Sequence, residues 1–174
     1  MRISAIVGVI LLAALMSACA TIKPHETVSS IGPYQNFSGR LMVIEPSRRW
    51  QVMVHWDGQP DRGQVRLTHA VSNRIILVSW EGEQIRMADN QNPADGWKLV
   101  NHSQLRSTGI ILPPQQLAMI LNGRVPAPLK EQKPNLWRGK IDGALILLKW
   151  TEEQKRLAIT DITHGREVIL IIQP

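Results

Sequence analysis

Apolar residues in this chain recur every second position, and that alternation limits its fold more than any other feature. In "RWQVMVHW", Trp50, Val52, Val54 and Trp56 fall on one side of an extended backbone, and Arg49, Gln51, Met53 and His55 fall on the other. Successive side chains of a strand point to opposite faces, so this stretch reads as a strand with one buried face and one wet face. The turn-forming run "DGQPDRG" follows, and "QVRLTH" resumes the alternation with Val65 and Leu67 inward. "RIILVSW" then sets Ile76, Val78 and Trp80 on one side, before "EGE" and "QIRM". The last third repeats the theme. "LWRGKI" and "ALILLKW" flank Asp142-Gly143, a two-residue hairpin signal, and "RLAITDI" and "EVILII" flank "THGR". Strands at this spacing, joined by turn residues, predict an antiparallel meander.

One segment changes period. "LPPQQLAMILNGRVP" sets Leu117, Ile120 and Leu121 at helical spacing, with prolines where a helix starts and Gly123 where it stops. "NHSQLRSTG", just before, is read as a second, shorter helix. The expected fold is therefore mainly β, a twisted antiparallel sheet curling toward a barrel, with a central helical insert over its open side. That arrangement buries the apolar faces and leaves few exposed edges.

The N-terminus belongs to a different physical regime. Arg2 supplies a positive charge, Ala5 to Leu15 is an unbroken apolar run, and the small residues Ser17 and Ala18 precede Cys19. The run is too short for a bilayer core, which takes about 20 residues, and has the layout of a cleavable export signal. Cys19 is the only cysteine, so it cannot form an internal disulfide, and an unpaired thiol is a liability in an oxidising compartment. The order Leu15-Met16-Ser17-Ala18-Cys19 resembles the bacterial lipoprotein signal. It implies cleavage before Cys19 and attachment there of diacylglycerol and an N-acyl chain. The other reading is an ordinary signal with a chance cysteine. Residues 1–18 are thus expected to be the signal, 19–36 an extended tether rich in Pro, Gly, Ser and charge, and 37–174 a single domain.

Arg2 is the only basic residue of the leader, so the exported chain stays basic, the whole having 20 Lys and Arg against 14 Asp and Glu. A sequence pI near 10.0 raises the question of nucleic acid. An exported lipoprotein meets little of it, and an anionic lipid surface is the more available partner. The charges also read simply as solvation of the outer strand faces. The five histidines are scattered without metal-ligand spacing, and no HExxH, GxSxG or phosphate-binding loop is present. The chain is read as a non-enzyme without a metal or cofactor beyond the lipid on Cys19. The apolar inventory remains. Six Trp accompany one Phe and one Tyr, and inward residues look the same around a filled interior as around an empty one. Candidate cavity residues are Trp50, Val52, Val54, Trp56, Ile76, Val78, Trp80, Leu117, Ile120 and Leu121.

Three stretches carry a family resemblance: "GRLMV…RRWQVMVHWDGQPDRGQVRLTHAVSN", "TGIILPPQQLAMILNGRVP" and "LAITDITHGREVILII". Together they resemble the first strands, the central helical stretch and the closing hairpin of the LolB family. The resemblance implies an open, incomplete barrel with an apolar cavity under helices. It also implies an outer-membrane anchor facing the periplasm, and a role in receiving lipoproteins from a LolA-like carrier and releasing them into the inner leaflet of that membrane. An exposed loop residue assists insertion in that family, and its place here falls to Val71. A monomer with no use for nucleotide or nucleic acid is expected. Two other readings stay open: an acyl-binding or envelope-sensing lipoprotein on the same fold, and a structural lipoprotein with a filled core.

Overall fold

The computed structural model describes residues 27–106, 108 and 110–173, so the signal and Cys19 lie outside the described residues. The chain forms strands β1 (Thr27–Val28), β2 (Asn36–Glu45), β3 (Arg48–Gly58), β4 (Arg62–His69), β5 (Arg74–Glu81), β6 (Gln84–Asp89) and β7 (Lys98–Leu99). Helices α1 (His102–Arg106) and α2 (Pro114–Leu121) come next. Strands β8 (Arg124–Val125), β9 (Lys130–Lys133), β10 (Leu136–Ile141), β11 (Ala144–Thr151), β12 (Arg156–Asp161) and β13 (Arg166–Gln173) complete it.

Eleven strands make one antiparallel sheet in the order β7-β6-β5-β4-β3-β2-β13-β12-β11-β10-β9. Two meanders, β2 to β7 and β9 to β13, are zipped together where the last strand pairs with the second, Leu170 opposite Leu41. Edge strands β7 and β9 do not pair with each other, so the sheet stays open. The alternation does the folding work. Val52, Val54, Trp56, Val65, Leu67, Ile76, Val78 and Trp80 are all buried on the concave side. Asp142 and Gly143 both take positive φ (48° and 79°), and Ile141 pairs with Ala144, so the expected two-residue hairpin forms there.

An isolated helix of eight residues is not stable in water, where about 12–15 are needed. Helix α2 persists by packing, with Ala118, Ile120 and Leu121 completely buried against the sheet. Pro113 and Pro114 start it, and Gly123 at φ 80° follows its end.

Part of the stretch expected to be a tether is docked. Residues 27–36 are docked on the domain: β1 pairs with β8, the Ser29 N–H donates to the Gly123 carbonyl at 2.9 Å, and the Tyr34 N–H to the Leu121 carbonyl at 2.7 Å. Ile31 is fully buried. Two apolar side chains in a polar stretch suffice to fix it, because Ile31 joins the core and Tyr34 packs 5.9 Å from the Trp150 ring. Gly32 permits the close approach, since a Cβ there would stand 2.1 Å from the Leu121 carbonyl oxygen.

Candidate functional site

The half-barrel has two unlike ends. At one, the aromatic rings of Trp80, Trp56, Phe37, Tyr34 and Trp150 follow one another at centroid separations of 5.0, 6.2, 6.3 and 5.9 Å. Trp80 lies on Gly58 and Gly63, and its indole N–H donates to the Gln59 carbonyl at 2.9 Å. This end is plugged.

Above the plug lies an all-apolar space between the sheet and the helical insert. Leu41, Val54, Trp56, Val65 and Leu67 border it from the first meander, and Ile159, Val168 and Leu170 from the second. Ile110, Ile111, Leu112, Pro114 and Leu117 roof it. Its free volume is about 40 Å³. Sites for small-molecule ligands take about 300–1,000 Å³, so sheet and insert are in contact and the space is closed.

At the other end the β2–β3 and β4–β5 turns frame an open mouth of about 390 Å³. Trp50, Val52, Leu67 and Ile76 form its apolar floor, with Arg48, Arg49, His69, Ser72, Arg74 and Thr108 around them. Leu67 borders both the mouth and the closed space. Among the ten cavity candidates, Val54, Trp56 and Leu117 border the closed space, and Trp50, Val52 and Ile76 border the mouth. Val78, Trp80, Ile120 and Leu121 are packed into the core and border neither. In the sequence Arg48, Arg49 and Arg74 belong to a general basic excess that suits either solvation of the strand faces or an anionic lipid surface, and none stands out. Their position at strand ends beside two turns on the same end of the sheet was the available signal.

Val71 stands at the tip of the β4–β5 turn, 92% exposed. The turn beneath it is fixed. The His69 Nδ1 accepts from the Ser72 N–H at 3.2 Å and stands 2.9 Å from the Ser72 hydroxyl. Asn90 donates to the Asn73 carbonyl at 2.9 Å and accepts from the Ile75 N–H at 2.7 Å. Arg74 donates from Nε and Nη2 to one Asp89 oxygen, at 3.1 and 2.7 Å, and this hydrogen bonding holds the Asp89 carboxyl below the usual range. A rigid turn thus presents an apolar side chain to the exterior.

Polar contacts tie the insert to the sheet. His102 places Nδ1 2.8 Å from Asp142 in the β10–β11 hairpin, and Nε2 2.8 Å from the Ile111 carbonyl. Gln115 donates to the Gly82 carbonyl at 2.9 Å. Among the described residues no three His, Cys, Asp or Glu side chains gather as a metal site, and no helix is long and apolar enough to cross a membrane.

The chain is similar to known proteins in sequence and, loosely, in backbone. The outer-membrane lipoprotein LolB of Tolumonas auensis is 25% identical over 101 residues, which cover 58% of this chain and 52% of that protein. The match therefore spans about half of the relative's length. A crystal structure of a LolA superfamily protein from Nitrosomonas europaea aligns over 83% of this chain and 86% of that one, at 10% identity and a TM-score of 0.43. The family described as outer membrane lipoprotein LolB matches residues 34–145, from the docked Tyr34 to the start of β11. That span is well over half of the sequence and holds the mouth, the Val71 turn and the whole helical insert, and on it the chain belongs to the LolB family.

Proposed function

We propose that this protein is an outer-membrane lipoprotein, anchored through acyl groups on Cys19 and facing the periplasm. It accepts lipoproteins from a LolA-like carrier and releases them into the inner leaflet of the outer membrane. The observation that carries this reading is the dry space between sheet and insert, under a mouth open to solvent. An acyl chain costs about 0.8 kcal/mol per CH₂ to expose, so a transferred tail needs shelter worth on the order of 10 kcal/mol. The apolar contacts of α2 with the sheet are non-directional. An acyl chain that displaces the helix replaces one apolar contact with another, and polar contacts such as those at His102, Gln115 and the Leu121 carbonyl must open. Cargo can then pass down a gradient of affinity without nucleotide.

Val71 is the membrane-contacting residue in this reading. Its transfer into lipid is worth about 1.5 kcal/mol, too little to anchor a protein and enough to bias a docking pose. The free volume of about 40 Å³ is the specific observation that favours the other reading, a structural lipoprotein with a filled core. A fluorescent fatty-acid probe added to the protein separates the two, since a filled core leaves the probe in water. Depletion in cells tests the acceptor role itself. Lipoproteins should then accumulate on the carrier, and a normal rate of release from it rejects the role.

A further inference from the structure

We infer that the mouth binds the phosphate of an anionic phospholipid, so that the domain reads the charge of the membrane surface as Val71 enters it. The inference rests on the reading that this end of the molecule faces a membrane. Arg48, Arg49 and Arg74 line the mouth, and among the described residues no carboxylate does. Arg48 is paired with Glu45, and Arg74 with Asp89, which holds both guanidinium groups in place. A guanidinium has five N–H donors, so each keeps spare ones for a phosphate oxygen. Arg49 is exposed and has no acidic partner among the described residues. The His69 Nδ1 accepts from Ser72, which leaves the ring proton on Nε2 as a further donor. Donors alone suit any phosphate. The floor of Trp50, Val52, Leu67 and Ile76 suits the glycerol and upper acyl carbons of a lipid and has nothing to offer a free ion. The fully exposed Val71 beside it points to the same source.

The test uses the full chain, held by its own anchor in phosphatidylethanolamine vesicles with or without phosphatidylglycerol. A polarity-sensitive dye on Ala70→Cys reports entry of the tip into lipid. Phosphatidylglycerol, whose phosphate charge no headgroup ammonium offsets, should raise tip entry about fivefold per arginine engaged, and Arg49→Ser should lower that gain about fivefold. Equal entry in both vesicle types, with Arg49→Ser silent, overturns the phosphate site and leaves the membrane reading standing. A dye that stays in water in both, unmoved by Val71→Glu, instead overturns the membrane reading. Binding of inorganic phosphate by the chain, lost in Arg49→Ser, with no phosphatidylglycerol gain in tip entry assigns the site to free phosphate and overturns the lipid. If Arg49→Ser slows only uptake from the carrier, the rim serves a protein partner and the inference fails.

Discussion

Gly63 pairs with Gly58 across the β3–β4 ladder, and both lie under the indole of Trp80. A Cβ on Gly63 would stand 2.3 Å from the Trp80 ring and 2.6 Å from the Gly58 Cα, so a ring and a backbone must both move. Gly63→Ala should therefore cost about 1–3 kcal/mol, seen as a lower denaturation midpoint at unchanged slope. Asp89 gives a prediction in pH. Its carboxyl is held below the usual range chiefly by the Arg74 hydrogen bond, so the pair stabilises the fold above the unfolded carboxylate pKa and ceases to do so as pH falls through the folded one. Asp89→Asn should lower stability at neutral pH by up to about 1 kcal/mol. The difference from the parent should shrink below about pH 4, and a difference independent of pH rejects the assignment. Neither residue was visible as special in the sequence. Gly63 lies in the turn-forming run "DGQPDRG" and Asp89 two residues past "QIRM", and their partners, Trp80 and Arg74, are brought in by register rather than by spacing.

At the scale of elements, period and punctuation were enough to place most strands and both helices. Trp50 to Trp56 alternated as a half-buried strand must, and the Pro113-Pro114 start and Gly123 stop of α2 stood in the sequence. What periodicity could not supply was the fit between layers. An inward Val78 and an inward Val54 look alike in one dimension, yet Val78 is packed in the core and Val54 borders the closed space. The start of the domain was missed for a related reason. Ile31 and Tyr34 have no period of their own, and the end of α2 and the Trp150 ring, both distant in sequence, give them a place to dock. The insert is the element expected to move. His102 bridges the β10–β11 hairpin to the stretch before α2 through both ring nitrogens, while the far end of α2 is held by the Tyr34 N–H and the β1–β8 pairing. His102→Ala should raise amide hydrogen exchange in α1 and α2 several-fold while β2, β3 and β13 keep their protection. Uniform loss of protection would show that insert and sheet open as one unit.

For the whole molecule, the decisive property is polarity from end to end, a ring-plugged base and a basic, solvent-open mouth with a closed apolar space between them. If acyl chains enter, they enter past Leu67, which among the described residues is the side chain that borders both spaces. Leu67→Trp should narrow that passage at a stability cost of about 1–3 kcal/mol. It is expected to weaken binding of the fluorescent fatty acid at least tenfold. Stability loss alone could produce a spurious decrease, and Gly63→Ala is the control, since it disturbs the plugged end by a similar amount and should bind the probe as the parent does. The same pair separates the two readings of the interior. A filled core predicts no probe binding in the parent and nothing for Leu67→Trp to remove. Entry from the plugged end predicts the reverse order, with Gly63→Ala impaired and Leu67→Trp intact.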